Sequence, residues 1–367
     1  VTVFNNRIYV VGGFTSNGGG GGVDNIYYAS VSTDGSVGTW TGNDTANPTS
    51  ADEISYEYVY ARANPNSAGS NPGNLYIIGG CAGALTNIGC PSVDYTDAVY
   101  KCNITTAGAV TSCSTSGQLQ IGTLPVQAGG TPTGSGLGAM AGAVYANYIY
   151  LMGGLTPGVT DLTTVRYAKF DDSNNIVTVG TGWVEGTNEM ETGRRRGAGF
   201  GYNGFLYVLG GYDGADAIAD IEFAKLNVSD GSWGTFTKSN VTIQKRWALT
   251  TAVSNSYAYV IGGCISGTAP TGCSSRTSTI QTFQVYNNDS GAMKSVTAMS
   301  DDTFSTVTDR WGSSAAILNG YLYVAGGCKV ATDCSGGGGG DNVTNDVQYA
   351  AISTTDGSIG TWASASN

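Results

Sequence analysis

Six times along the chain, an apolar residue, a tyrosine and two further apolar residues run straight into a pair of glycines. The phrase begins at Ile8, Leu75, Ile149, Leu206, Ala258 and Leu322, so that Tyr9, Tyr76, Tyr150, Tyr207, Tyr259 and Tyr323 each stand three places before the first glycine. Those glycines fall at 12, 79, 153, 210, 262 and 326, a spacing of 52 to 74 residues. A period of that size indicates a repeat architecture and is too long for one hairpin. Four β-formers in a row predict a strand buried on both faces, as when sheets stack on sheets. The tyrosine can bury its ring while its hydroxyl finds a backbone partner. The two glycines end the strand where the chain needs positive φ or where a neighbouring sheet comes too close for a Cβ.

Around each phrase the pattern predicts three further strands. Repeat four reads as strands over 197–202, 205–211, 221–226 and 233–237, with turns at Asn203-Gly204 and Asp230-Gly231. The same ruler gives 26–31 and 37–41 after the diglycine strand of repeat one, and residues 1–4 ahead of it as an inner strand lying next to repeat six. Repeat two takes 57–61, 75–78, 98–102 and 110–113; repeat three takes 139–145, 148–152, 164–170 and 177–184. Repeat five takes 248–253, 257–261, 280–286 and 293–297; repeat six takes 313–318, 321–325, 347–352 and 359–363. The last turn has its own signature in three repeats, Asp34-Gly-Ser, Asp230-Gly-Ser and Asp356-Gly-Ser, each leading to Gly-Thr and an aromatic (Trp40, Phe236, Trp362). Asp-Gly between strands signals a hairpin, because both positions tolerate positive φ. The aromatic is expected to pack between neighbouring sheets.

Arginine before the first strand (Arg196, Arg246, Arg310), the diglycine, an aromatic in the third strand (Tyr28, Tyr100, Tyr167, Phe223, Phe283, Tyr349) and tryptophan in the fourth together resemble kelch repeats. The resemblance covers essentially the whole chain and implies an all-β fold: one six-bladed β-propeller of four-stranded antiparallel blades around a central channel. The blades would span roughly 1–42, 56–114, 138–184, 196–237, 246–297 and 310–367. Repeats three and five lack the Asp-Gly-Ser turn, and repeat two carries an insertion at 63–73 inside its first hairpin.

Composition narrows the partners. Charged residues make up 12% of the chain and the net charge is −11, which argues against nucleic acid and an anionic membrane surface. No apolar run is long enough for a transmembrane helix, so membrane insertion is not expected. Val1 already lies in a β-like stretch, so no signal peptide is read, and the residues before it are expected to have been cleaved, left unresolved or cut away. The eight cysteines fall into local pairs: Cys81 with Cys90, Cys102 with Cys113, Cys264 with Cys273, and Cys328 with Cys334. Four local disulfides place the chain outside the cytosol, secreted or on the cell surface.

Antiparallel blades put the second-to-third loops (14–24, 81–97, 155–163, 212–220, 264–279 and 328–346) and the blade connections on one face. Loops on a rigid scaffold are where function usually sits, and the disulfides would brace three of these six. Candidate contacts on that face are Tyr212, Asp213, Asp216, Arg276 and Asp341. The chain has no histidine, so a Ser-His-Asp triad and the imidazole ligands of a copper oxidase are absent, and no catalytic residue is assigned. A sialidase-like glycosidase is disfavoured, since the Asp-Gly turns lie on the opposite face. Glu185, Glu189 and Glu191 ahead of Arg194, Arg195 and Arg196 read as a solvated ion-pair patch; the arginines before the first strands read as ligands of backbone carbonyls near the axis. No metal or cofactor is assigned; calcium is a secondary reading at Asp341, Asn342, Asn345 and Asp346 or at Asp213, Asp216 and Asp220. These features lead to a non-enzymatic, extracellular module binding a protein or glycan through its loop face. A structural subunit of a surface layer or filament is the alternative.

Overall fold

A computed structural model describes residues 1–14, 22–43, 60–65, 72–80, 95–96, 98–114, 136–156, 161–173, 175–176, 183–268, 272–286, 290–296, 302–303, 309–329 and 343–365. The described chain is all β and forms six antiparallel blades in a propeller. From the inside out, blade one is Thr2–Phe4, Arg7–Phe14, Gly22–Ser30 and Thr41–Asn43; blade two is Tyr60–Pro65, Gly73–Ile78, Val99–Ile104 and Val110–Ser114. Blade three is Ala141–Tyr145, Tyr148–Met152, Val165–Lys169 and Val184–Glu185; blade four is Ala198–Tyr202, Phe205–Leu209, Ile221–Lys225 and Thr237–Lys238. Blade five is Thr250–Ser254, Tyr257–Ile261, Thr279–Val285 and Met293–Ser295, with Asp302–Thr303 also pairing its third strand; blade six is Ser314–Leu318, Tyr321–Ala325, Val347–Ala351 and Ala363–Ala365. The inner strand of blade one lies against those of blades two and six, closing the ring.

The core is laid out in slabs. Six apolar clusters each fill the space between one pair of neighbouring blades, and a seventh sits at the axis. This is why the diglycine strand is apolar at every position: Phe205–Leu209 and Tyr148–Met152 are buried throughout, with a sheet on each side. Each of the six tyrosines faces the next blade and bonds its backbone. Tyr9 donates to the Gly108 carbonyl at 3.1 Å, Tyr150 to Gly231 at 3.0 Å, Tyr207 to Gly291 at 2.9 Å, Tyr259 to Gly357 at 2.7 Å and Tyr323 to Gly35 at 2.8 Å. Tyr76 meets the backbone of Ile176 in blade three. The Tyr323 bond joins blade six back to blade one.

The acceptors are the turns between third and fourth strands. Gly35, Gly231 and Gly357 belong to the Asp-Gly-Ser signature, and the Asp carboxylate clamps that turn from inside. Asp230 Oδ1 accepts the Ser232 N–H at 2.9 Å and its hydroxyl at 2.6 Å, and Asp34 with Ser36 and Asp356 with Ser358 do the same. Each diglycine has positive φ at both residues, and in blades two to five its second N–H reaches across to the following blade: Gly80 to the Leu137 carbonyl at 3.1 Å, Gly154 to Arg194 at 2.8 Å, Gly211 to Arg246 at 2.9 Å, Gly263 to Arg310 at 3.0 Å.

Two strand expectations need correction. The fourth strands do not run continuously over 37–41, 233–237 and 359–363. A single bridge forms there (Val31 with Val37, Leu226 with Trp233, Ile352 with Ile359), the ladder breaks at Gly-Thr, and regular pairing resumes at Thr41, Thr237 and Ala363. The break turns the aromatic into the inter-blade slab, where Trp40, Phe236 and Trp362 pack. In blade two, Ala63, Asn64 and Pro65 continue the first strand and pair with Leu75, Asn74 and Gly73, so the insertion is only 66–72.

The inter-blade bonds make two predictions. Gly204 and Gly231 have nearly the same φ, 78° and 77°, but a Cβ meets nothing within 4 Å at Gly204 and overlaps the Tyr148 ring at Gly231. Gly204→Ala is expected to cost about 1 kcal/mol for the left-handed backbone, and Gly231→Ala about 1–3 kcal/mol more for overpacking. Equal losses in denaturant titrations would contradict the packing of the Tyr148 ring against the Gly231 turn. The second concerns alkali. Burial pushes the Tyr9 phenol up to about 12 and the other five higher still. Unfolded phenols ionise near pH ~10, so this contribution to stability is complete below that pH and is lost as pH rises through it. Six of the 22 tyrosines should therefore ionise only as near-ultraviolet dichroism collapses; smooth ionisation of all of them with the dichroism intact would overturn the assignment.

Candidate functional site

The loop face is built from the arginines inward. Arg194, Arg246 and Arg310, each just before an inner strand, donate from Nη1 to the first diglycine carbonyl of their own blade: Gly210 at 2.9 Å, Gly262 at 3.0 Å and Gly326 at 2.9 Å. The arginines thus bond backbone carbonyls as the repeat pattern implies, but in blade four the residue in register is Arg194, not Arg196. Each then takes a second partner that differs by blade. Arg194 pairs with Glu222, both side chains fully buried; Arg246 bonds Gln281 at 3.0 Å; Arg310 bonds Asp346 at 2.8 and 3.2 Å. Glu222 also accepts the Glu191 N–H at 2.7 Å and the Thr192 N–H at 3.2 Å, which ties the preceding connection to the blade.

The expected solvated patch is therefore corrected at its arginines, since Arg194, Arg195 and Arg196 are 1%, 8% and 5% exposed, while Glu189 and Glu191 are exposed as expected. Arg195 grips both oxygens of Asp161 at 2.9 and 3.0 Å, and Glu185 pairs with the buried Arg166 at 3.0 Å. Ion pairs withdrawn from water in this way are costly to break, because one charge is left uncompensated. Glu222 and Asp161 stand 28 and 34 residues from their arginines in sequence, and no local spacing marks them.

At the axis, the residue before each inner strand bridges the residue after the diglycine: Arg195 with Tyr212, Trp247 with Cys264, Trp311 with Cys328. Arg195 stacks over Tyr212 at 4.9 Å, Arg196 over Trp247 at 5.1 Å, and Trp247 meets Trp311 edge-on at 5.1 Å. Beside this cluster lies a cavity of about 700 Å³ lined by residues at the start of the inner strands and by residues of blades one and six. Its wall includes Tyr27, Trp40, Arg196, Ser313, Asn345 and Asp346. Burial raises the Asp346 carboxyl, but its hydrogen bond with Arg310 and that residue's charge outweigh this and hold it below the usual carboxylate value.

The sequence candidates are distributed unevenly. Tyr212 is 1% exposed, with its hydroxyl turned to the Ala215 carbonyl, and so offers no contact surface. Its correction has a plain cause: the ring is needed in the axial cluster. Asp213 is exposed and caps its own loop through the Ala215 and Asp216 N–H groups, and exposed Asp216 pairs with Lys245 at 2.5 Å. Arg276 donates to the Asp309 carbonyl at 2.9 Å, anchoring the loop of blade five to the next connection. That loop is a hairpin, Cys264–Thr268 with Gly272–Arg276, closed by the Cys264–Cys273 disulfide. Cys102–Cys113 is the other disulfide between described residues, joining the outer strands of blade two. Cys328 is disulfide-bonded, while Cys81, Cys90, Cys334, Asp341 and Asn342 lie outside the described residues. Among the described residues no three acidic or cysteine side chains gather as metal ligands. Asp216 and Asp220 are engaged by Lys245 and Lys238, and Asp346 by Arg310.

The site and the ring define a six-bladed β-propeller with a braced loop face. Scanned against protein-family models and against curated protein sequences, the chain matches none. The disulfides Cys102–Cys113 and Cys264–Cys273 point to oxidising surroundings, and no described helix is long and apolar enough to cross a membrane.

Blade five does with Gln281 what blade four does with Glu222. Glu222→Gln is therefore expected to cost far less than Glu222→Ala, which strands the Arg194 charge and should lose about 3–5 kcal/mol. Thermal denaturation of the two variants checks this; equal losses would mean that the carboxylate charge itself is required.

Proposed function

We propose that this chain is a kelch-like, non-enzymatic binding module of the extracellular space or cell surface, recognising a protein or glycan through its second-to-third loop face. The observation that carries this is the bracing of that face: a disulfide-closed hairpin on blade five, fixed through Arg276 to the Asp309 carbonyl, beside loops clamped by Asp161–Arg195 and Asp216–Lys245. Loops ordered before contact lose less entropy on binding. The kelch assignment is supported by the six diglycine strands and the three Asp-Gly-Ser turns. A serine- and tyrosine-rich chain of few charges suits adaptable polar recognition.

The test is adhesion of the purified chain to cells and to immobilised glycans, with the exposed pair removed together (Asp216→Ala, Lys245→Ala). The double variant should keep its melting temperature and lose adhesion. Unchanged adhesion to every surface tested, or native particles in which identical subunits bury this face, would replace the binding module with a structural subunit.

A further inference from the structure

Opposite the inter-blade tyrosine, the third strand of four blades carries another aromatic: Tyr9 meets Tyr28, Tyr150 meets Tyr167, Tyr207 meets Phe223 and Tyr323 meets Tyr349, with ring centroids 5.8 to 6.1 Å apart. Blade two puts Lys101 there, opposite Tyr76, and its own aromatic, Tyr100, falls opposite Ile77. A long amine thus fills a half-buried slot that in those blades holds a ring. Its Nζ lies 2.6 Å from Asn175 Oδ1, across the joint in blade three and 74 residues further along the chain. Asn175 closes the turn 171–175, which lacks the Asp-Gly-Ser signature and is held by Asp171 instead. The Asp171 N–H donates to the Asn175 carbonyl at 2.7 Å, and its Oδ1 accepts the Ser173 and Asn175 N–H groups, both at 2.8 Å. The same carboxylate stands 3.3 and 3.4 Å from Asn175 Nδ2.

An amine, a carboxamide and a carboxylate are therefore held in a row, the amine at the amide oxygen and the acid at the amide nitrogen. Strand pairing fixes the first and one tight turn fixes the other two. Partial burial favours the neutral form of Lys101, and the charge of Asp171 opposes this less strongly. The neutral amine is the nucleophilic form, and a desolvated lysine reaches it most readily.

We propose that Lys101 and Asn175 join in an intramolecular amide, a covalent cross-link between blades two and three, with Asp171 carrying the proton. From Nζ at 2.6 Å from Oδ1, Cγ is at most about 1.2 Å farther, so a small rotation brings it to the roughly 3–3.5 Å of near-attack geometry. The ammonium first yields one proton to solvent. Nζ then attacks Cγ, and the carbonyl electron pair moves onto Oδ1. Asp171 takes the proton that Nζ must lose and delivers it to Nδ2; the pair on Oδ1 returns, the Cγ–Nδ2 bond breaks and ammonia leaves. One C–N bond forms and one breaks, no oxidant or other reagent is consumed, and the carboxylate ends as it began. The joint that gains this bond is the one where the tyrosine, Tyr76, meets the backbone of Ile176 and not a glycine carbonyl.

Mass spectrometry of the purified full chain, fully reduced, tests the cross-link. The parent should be lighter than its sequence by one ammonia, and a tryptic digest should contain a branched peptide joining Lys101 to Asn175. Lys101→Arg keeps the cation and the bond to Asn175 but cannot form the amide, so it should fold and keep its full mass. Asp171→Asn keeps an acceptor for the turn but cannot ferry the proton, so it should fold and stay largely uncross-linked. Boiled with reductant, the parent should still be closed into a loop across those 74 residues and run faster in a denaturing gel than Lys101→Arg. A parent of full mass overturns the cross-link, and so does a loss of ammonia that survives Lys101→Arg, which would mark an asparagine cyclising by itself. An Asp171→Asn chain as fully cross-linked as the parent overturns the role of Asp171. The branched peptide is read from the parent alone, so a variant that fails to fold leaves the test intact.

Discussion

The tyrosine hydroxyl that crosses from one blade to the turn of the next is the constraint on which this ring depends. Sheets stacked face to face attract one another through apolar contact, which is non-directional and would tolerate sliding. A phenol of fixed length ending on one backbone group, a glycine carbonyl in five of the six contacts, removes that freedom. It also explains why the acceptor is glycine: a side chain at Gly231 or Gly357 would overlap Tyr148 or Tyr257, the ring two places before the bonding tyrosine. Repeated from each blade to the next, the contact sets the offset between sheets and lets the last blade find the first through Tyr323 and Gly35.

Charge is used sparingly and kept inside. The arginines at the start of the inner strands tie diglycine carbonyls, third strand and preceding connection into one knot, with Glu222, Gln281 or Asp346 as the variable partner. A carboxylate and an amide can alternate at this position because the knot needs an acceptor of fixed geometry more than it needs a countercharge. The loop face therefore stands on a frame already rigid beneath it, which is what recognition by loops requires.

Much of this was legible in the chain alone. Six diglycine strands at a near-regular period dictate six blades, because a strand apolar at every position must have a sheet on each side, and four strands per period leave one way to supply them. The glycine pairs declare positive φ, and the cysteine spacing points to the local bonds Cys102–Cys113 and Cys264–Cys273. The tyrosines announce a buried ring with a backbone partner. All these are properties of short stretches, where periodicity and steric demand act between near neighbours.

What only the tertiary structure decided lies between stretches. Arg194 rather than Arg196 takes the repeat position because the inner strand begins at Ala198, a register set by pairing with Leu209 and not by the run of three arginines. The burial of Tyr212, the pairing of Arg194 with Glu222 and of Arg195 with Asp161, and the meeting of Arg196, Ser313 and Trp40 at one cavity join residues from different blades or distant strands. Nothing in local sequence encodes those distances. They follow from closing six sheets around an axis, which brings together the one residue per blade that the repeat leaves free to vary.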